Sequence, residues 1–248
     1  MASLALRATP PELAAWFAGR EGRLREASVE PDLWKAHDRK EGPRHYLDVE
    51  LYGLPADIPR DPAVALAKVG GATFQKAGTV PWVVQDAYRQ LVAAFRSGDP
   101  AQVVDQAAWL GHYVGDLHVP LHTTTNHDGQ LTGQKGVHGR WESGLVDRYL
   151  VEAELPAPGT AGLEDPATAP WRWLEESFAL VPKVLADDLE AARGEAREQP
   201  VRSVGYWRNS WALEGPVVTR QLGLAGQRLA GLWLAAWKEA GSPRAFSR

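Results

Sequence analysis

Residues 109–122 read WLGHYVGDLHVPLH, and residues 136–142 read GVHGRWE. His112 and Asp116 stand four residues apart, as do His138 and Glu142. On a helix that spacing puts both side chains of a pair on one face, one turn above the other. Such a pair offers two ligands to one metal ion, and His122 between the pairs adds a third histidine. The intervening stretch, Thr123 to Gly136, is rich in Thr, Gly, Asn and Gln and reads as a loop returning one helix towards the other. Of the seven histidines, six fall between His45 and His138. The stretch therefore implies a helical protein whose histidines converge.

The rest of the chain agrees with that class. Apolar residues recur at spacings of three and four, long alternating runs are missing, and Ala and Leu are abundant, so the fold is expected to be all-α. Helices are expected at about 10–28, 43–52, 80–97, 100–119, 136–150, 170–194 and 204–239. Pro10-Pro11-Glu12, Pro81 and Asp99-Pro100 mark starts, and Val119-Pro120 marks a stop. Residues 153–170 form a Pro- and Ala-rich connector, and no repeat is visible. The whole chain, 1–248, reads as one domain. Most of the eleven Trp residues are expected in the core, with Trp82 and Trp141 closer to the site.

Charge and cysteine usage narrow the function. A net charge of −4 without a basic stripe argues against charge-driven binding to duplex nucleic acid. The absence of cysteine excludes disulfides, thiolate zinc sites and cysteine nucleophiles. Zinc here must use His and carboxylate ligands, which suits an open catalytic site. No signal peptide is read at the N-terminus, and the apolar region 222–237 is too short to span a bilayer.

Upstream, His45 and one of Asp32, Asp38 or Asp48 could complete a site around His112 and Asp116, and spacing alone leaves the three open. His37-Asp38 and His127-Asp128 raise the phosphohydrolases built on an HD dipeptide. No His precedes His37 and His127 lies in the polar loop, so the required ordered partners are missing. His118, two positions beyond Asp116, reads as a second-sphere or structural histidine, and Asp48 as an outer partner of the site.

Taken together, His45-Tyr-Leu-Asp48, the run His112 to His122 and Val137-His-Gly-Arg-Trp-Glu142 resemble the zinc-dependent phospholipases C and the related single-strand-specific nucleases. Pro216 to Leu222 and Ala225 to Ala230 look like the nuclease branch, whereas Glu142 and the short gap from His122 to His138 look like the phospholipase branch. The resemblance covers the chain from about residue 10. It implies a single multi-helical domain and zinc-dependent hydrolysis of phosphate diesters, with a phospholipid headgroup or single-stranded nucleic acid as substrate.

By motif match one zinc would take Asp32, His45, His112 and Asp116, and a second would take His122, His138 and Glu142. Asp116 would bridge to a third, and Asp32 would accept the proton of the attacking water. The family's third zinc uses an N-terminal Trp, exposed by signal-peptide cleavage, and a nearby His. This chain has no Trp before Trp16 and no His before His37. Two zinc ions and weak turnover are therefore expected, from a chain that lacks the family's extreme N-terminus or has lost the third site. The family is mostly secreted, whereas a chain without an export signal would stay in the cytoplasm. A noncatalytic, zinc-stabilised helical protein is the contrasting expectation.

Overall fold

The computed structural model describes residues 1–151, 155, 161–195, 201 and 203–245. The connector at 153–170 falls partly outside them. The described residues are mostly helical, and their one β-type pairing is an isolated antiparallel bridge between Leu47 and Gly78. In chain order the first helices are α1 (Ala2–Ala8), α2 (Pro11–Ala14), α3 (Glu21–Ala27), α4 (Glu30–Trp34), α5 (Pro62–Val69) and α6 (Gly71–Ala77). The core is built on α7 (Val80–Ser97) and α8 (Pro100–Asp116). Then come α9 (Val137–Gly139), α10 (Leu145–Tyr149), α11 (Ala169–Phe178), α12 (Val181–Ala192) and α13 (Val204–Glu239).

Helices α7 and α8 form a hairpin, and the reason is local. Gly98 closes α7 in the left-handed conformation, Asp99 caps α8 by accepting from Ala101 N at 2.9 Å, and Pro100 occupies the first turn. The 36-residue α13, capped by Ser203, packs across both and carries α1 on its surface. Burial of Phe17 stacked on Trp233, and of Trp16 edge-on to Phe95, ties the N-terminal segment to this framework. Gly111 matters here: a β-carbon on it would stand 3.0 Å from Leu229 Cδ2, so α8 and α13 approach closely just above the site.

Several expected helices are shorter or differently wound. The stretch 10–28 breaks at Gly19, whose φ is +72°, into α2 and α3. The stretch 43–52 is two 3-10 turns, Gly42–His45 and Val49–Leu51. The stretch 136–150 runs as α9, a π turn over Arg140–Gly144, and α10. Helices α11 and α12 replace one expected helix because the chain restarts just before Pro182. Helix α8 ends at Asp116 rather than 119, since Val119 is extended ahead of Pro120. No helix among the described residues is long and apolar enough to cross a membrane.

Candidate metal centre

Two groups of His and carboxylate side chains meet at one end of α8. In the first, the last turn of α8 presents His112 and Asp116 together, with His112 Nε2 3.5 Å from Asp116 Oδ2. The 3-10 turn Gly42–His45 brings His45 Nδ1 to 2.9 Å from His112 Nε2 and 3.0 Å from Asp116 Oδ2. From α4, Asp32 Oδ1 lies 3.6 Å from His112 Nε2 and 3.7 Å from His45 Nδ1. Neither Asp38 nor Asp48 joins this group. Asp38 is exposed and accepts from the amide of Lys40.

In the second group, His122 Nε2 faces His138 Nε2 at 3.1 Å and Glu142 Oε2 at 3.6 Å, while His138 Nε2 stands 2.8 Å from Glu142 Oε2. His122 follows the stop at Val119-Pro120, on the 3-10 turn Pro120–Thr123. His138 comes from α9, and Glu142 from the π turn rather than from a continuous α-helix. Asp116 lies between the groups, its Oδ1 3.4 Å from His122 Nδ1.

The hydrogen bonds decide which nitrogens can bind a metal. A carbonyl only accepts, so His112 Nδ1–H donates to Ser28 O at 2.8 Å and His122 Nδ1–H donates to His45 O at 2.7 Å. In the neutral, metal-binding form both rings therefore keep Nε2 as the nitrogen whose lone pair faces the group. The two nitrogens of His45 face different neighbours. Its Nε2 is buried 3.3 Å from Glu41 Oε1, an ion-pair distance but at an angle that makes no hydrogen bond.

If Nε2 carries the proton, His45 Nδ1 aims a lone pair at His112 Nε2 and Asp116. If Nδ1 carries it, an unprotonated Nε2 faces the Glu41 carboxylate. A metal ion among His45, His112, Asp116 and Asp32 would take the Nδ1 lone pair and leave the Nε2 proton facing Glu41. The ligand-atom separations, 2.9 to 3.7 Å, bracket the roughly 3.3 Å edge of a tetrahedron with zinc bonds near 2.0–2.1 Å. These residues fit a metal ion.

Electrostatics point the same way. Burial disfavours a charged His122, but Asp116 and Glu142 outweigh it and raise its pKa to about 9. Burial would raise the Glu142 carboxyl, yet hydrogen bonds with His122 and His138 hold it well below its ordinary range. Both shifts describe a site that attracts positive charge. Asp32 differs: burial pushes it up, but the Lys35 hydrogen bond and the charges of His112, Lys35 and His45 hold it low. It is the exposed member of its group, paired with Lys35 Nζ at 2.6 Å.

Two expected outer partners sit elsewhere. His118 is buried, donates Nδ1–H to Val114 O at 2.6 Å and accepts from Arg228 Nη1 at 2.9 Å. Burial pushes its pKa down to about 3, so it is neutral, braced on α13 and in contact with neither group. It follows the last residue of α8 by two positions, so it turns away from Asp116. Asp48 lines the adjoining cavity without bonding a ligand, and burial followed by the charge of Glu50 raises it to about 6.

The partner that sequence reasoning missed is Glu41, buried beside His45 and accepting from Tyr113 Oη at 2.5 Å. Its one signal was an acid four residues before a histidine, indistinguishable in sequence from a surface pair.

A cavity of about 900 Å³ opens from the two groups. Much of its lining is apolar, including Ala107 and Ala108 of α8 and Val218, Leu222, Ala225 and Leu229 of α13. Lys35, Lys76 and His127 also line it, the His127 ring 6.4 Å from that of His138. Trp141 borders the cavity, whereas Trp82 does not; Trp82 packs on Trp171 and donates to Arg60 O. His37 is exposed and belongs to neither group.

The fold and site thus define an all-α protein with two sets of His and carboxylate side chains able to hold metal ions. No protein-family model matches the chain, and no characterised protein is significantly similar to it in sequence.

Proposed function

We propose that the chain is a zinc-dependent phosphodiesterase of the phospholipase C type. The observation that carries the reading is the pairing of two three-ligand groups, joined through Asp116, at the head of a largely apolar cavity. Asp32, His45, His112 and Asp116 would hold one zinc, and His122, His138 and Glu142 another. Bound there, zinc would neutralise phosphate oxygens and bring the pKa of the attacking water towards 7.

The chain's own groups do the rest. Ser28 O and His45 O fix two imidazole tautomers, and Glu41 backs the His45 ring. Asp32, held ionised by Lys35, is available to accept a proton at neutral pH. Lys35 and Lys76 add positive charge on the cavity wall for a phosphodiester. The apolar wall from α8 and α13 suits an aliphatic substituent and excludes water from the reacting end. That wall favours a lipid over a nucleic acid, although residues 216–230 that supply part of it carry the likeness to the nucleases.

Zinc should bind at two ions per chain, one at each group. The test is to strip the protein of metal, restore zinc and assay a phosphocholine diester, single-stranded DNA and a chromogenic phosphodiester. Faster zinc-dependent hydrolysis of the phosphocholine diester supports the proposal. Preference for DNA replaces it with the nuclease reading. Zinc that raises the melting temperature without hydrolysis of any substrate leaves a noncatalytic metal protein.

A further inference from the structure

Between His138 and Glu142 stands Arg140, a residue that the ligand pattern leaves without a role. Two positions from each ligand, it projects from the opposite face of the segment. There it enters a buried network. Arg140 Nε donates to Asp188 Oδ1 at 3.0 Å and to Tyr206 Oη at 2.9 Å, and Nη2 reaches both Asp188 oxygens at 2.9 Å. Its Nη1 and Nη2 also bind the carbonyls of Lys135 and Gln134, the two residues before Gly136.

Asp188, on α12, accepts in addition from Tyr206 Oη and from Gln134 Nε2 at 2.9 Å. Gly136 makes room for this: its φ is +90°, and a β-carbon there would stand 3.0 Å from Arg140 Nη1. A second brace holds the next residue, for Trp141 Nε1 donates to Glu214 Oε2 at 2.8 Å and Lys183 holds the other Glu214 oxygen at 2.8 Å.

These contacts converge on the π turn Arg140–Gly144, which carries Glu142. Wide π turns are uncommon, and they concentrate at functional sites. Simple stability is a poor account of the network, because buried ion pairs exchange for apolar residues with little or no loss. What an apolar replacement cannot do is fix the orientation of the turn by several directed bonds at once.

We infer that the Arg140–Asp188–Tyr206 network is the positioning device of the His122–His138–Glu142 site, holding Glu142 and His138 towards His122 and so setting the affinity of that site for its ion. The inference rests on the metal reading proposed above.

Zinc affinity, measured by competition with a chromogenic chelator, tests it in the wild type, Asp188→Asn and Tyr206→Phe. Each is read with and without His112→Asn, which disables the other group. Cobalt substitution adds a visible spectrum that reports ligand geometry. Asp188→Asn, which acts through the backbone of the turn rather than on a ligand side chain, should weaken the second site by up to about tenfold, the lower end of what losing a partner bonded directly to a ligand costs. Tyr206→Phe, which removes one hydroxyl and preserves the ring, should weaken it severalfold and shift the cobalt bands.

Arg140→Lys should fail to restore affinity, because an ammonium cannot span Asp188 and two carbonyls. A folded Tyr206→Phe with a lower melting temperature but unchanged zinc affinity and cobalt spectrum would make the network merely structural. If the wild type takes up zinc at the first group alone, or not at all, the metal reading of this site fails, and the inference with it.

Discussion

The two ligand groups lie side by side yet are built by opposite means. The first is anchored on the last turn of α8, a 17-residue helix with a capped start and a buried face. Its weak member is Asp32, exposed on the short α4 and engaged by Lys35. The second has no long helix at all: a 3-10 turn, a three-residue α-helix and a π turn supply its ligands, and polar bonds from other segments hold the 3-10 turn and the π turn. A regular helix positions ligands through its own hydrogen bonds, whereas irregular backbone must be positioned by its surroundings. The first group should therefore be sensitive to its ligands, and the second to residues well away from the metal.

Asp116 is the test of their separateness, since its two oxygens face different groups. Asp116→Asn should reduce zinc occupancy at both and lower turnover by about a thousandfold or more, a loss of several kcal/mol of charge stabilisation. Metal analysis showing one site untouched would divide the centre into independent halves. Glu41→Gln probes the first group alone. It should weaken zinc there by about tenfold, through the orientation and basicity of His45, while leaving the second site unchanged in chelator competition.

The charge balance of the second group gives a pH signature. Without metal, the proton on His122 stabilises the fold fully below the ordinary value of 6.5, and that stabilisation is lost as pH rises through about 9. Glu142, shifted down from 4.5, contributes above that value and loses its contribution as pH falls through its lowered one. The metal-free melting temperature should thus decline from about pH 6.5 to 9 through His122, and zinc, which replaces the proton, should remove that decline. Identical pH profiles with and without zinc would contradict this assignment.

The smallest effect concerns the exposed arm of the first group. Lys35→Met should tighten zinc at that group by no more than about fivefold, because an exposed ion pair is worth at most about 1 kcal/mol. Weaker binding would mean that Lys35 orients Asp32 rather than competing for it.

Legibility in the sequence follows the same division. The starts of α7 and α8 are readable to the residue, because Val80-Pro81 and Asp99-Pro100 mark them, and a continuous apolar face runs along both; α13 also matches its expected span. Helices α1, α5 and α6 escaped notice; each has seven or eight residues, too few for periodicity to declare itself.

All seven expected ligands meet in space, since their residue types and paired spacings are local information. Spacing alone leaves Asp32, Asp38 and Asp48 open and the family resemblance favours Asp32; α4 laid against α8 brings Asp32, and neither of the others, to His45 and His112. Glu41, Arg140 and Asp188 were opaque for a different reason. Their partners lie four residues away in the first case and 48 in the second, and a buried charge looks like a surface charge in one dimension.

The bond from His122 Nδ1 to the carbonyl of His45, returned by Leu47 N to the carbonyl of His122, joins segments 77 residues apart. Contacts of such separation close late, after a local hairpin such as α7–α8 has formed. An ion bound across these segments would then add little to the speed of folding. Its effect would fall on the rate of unfolding, so that the metal acts as a brake on opening rather than as a nucleus for assembly.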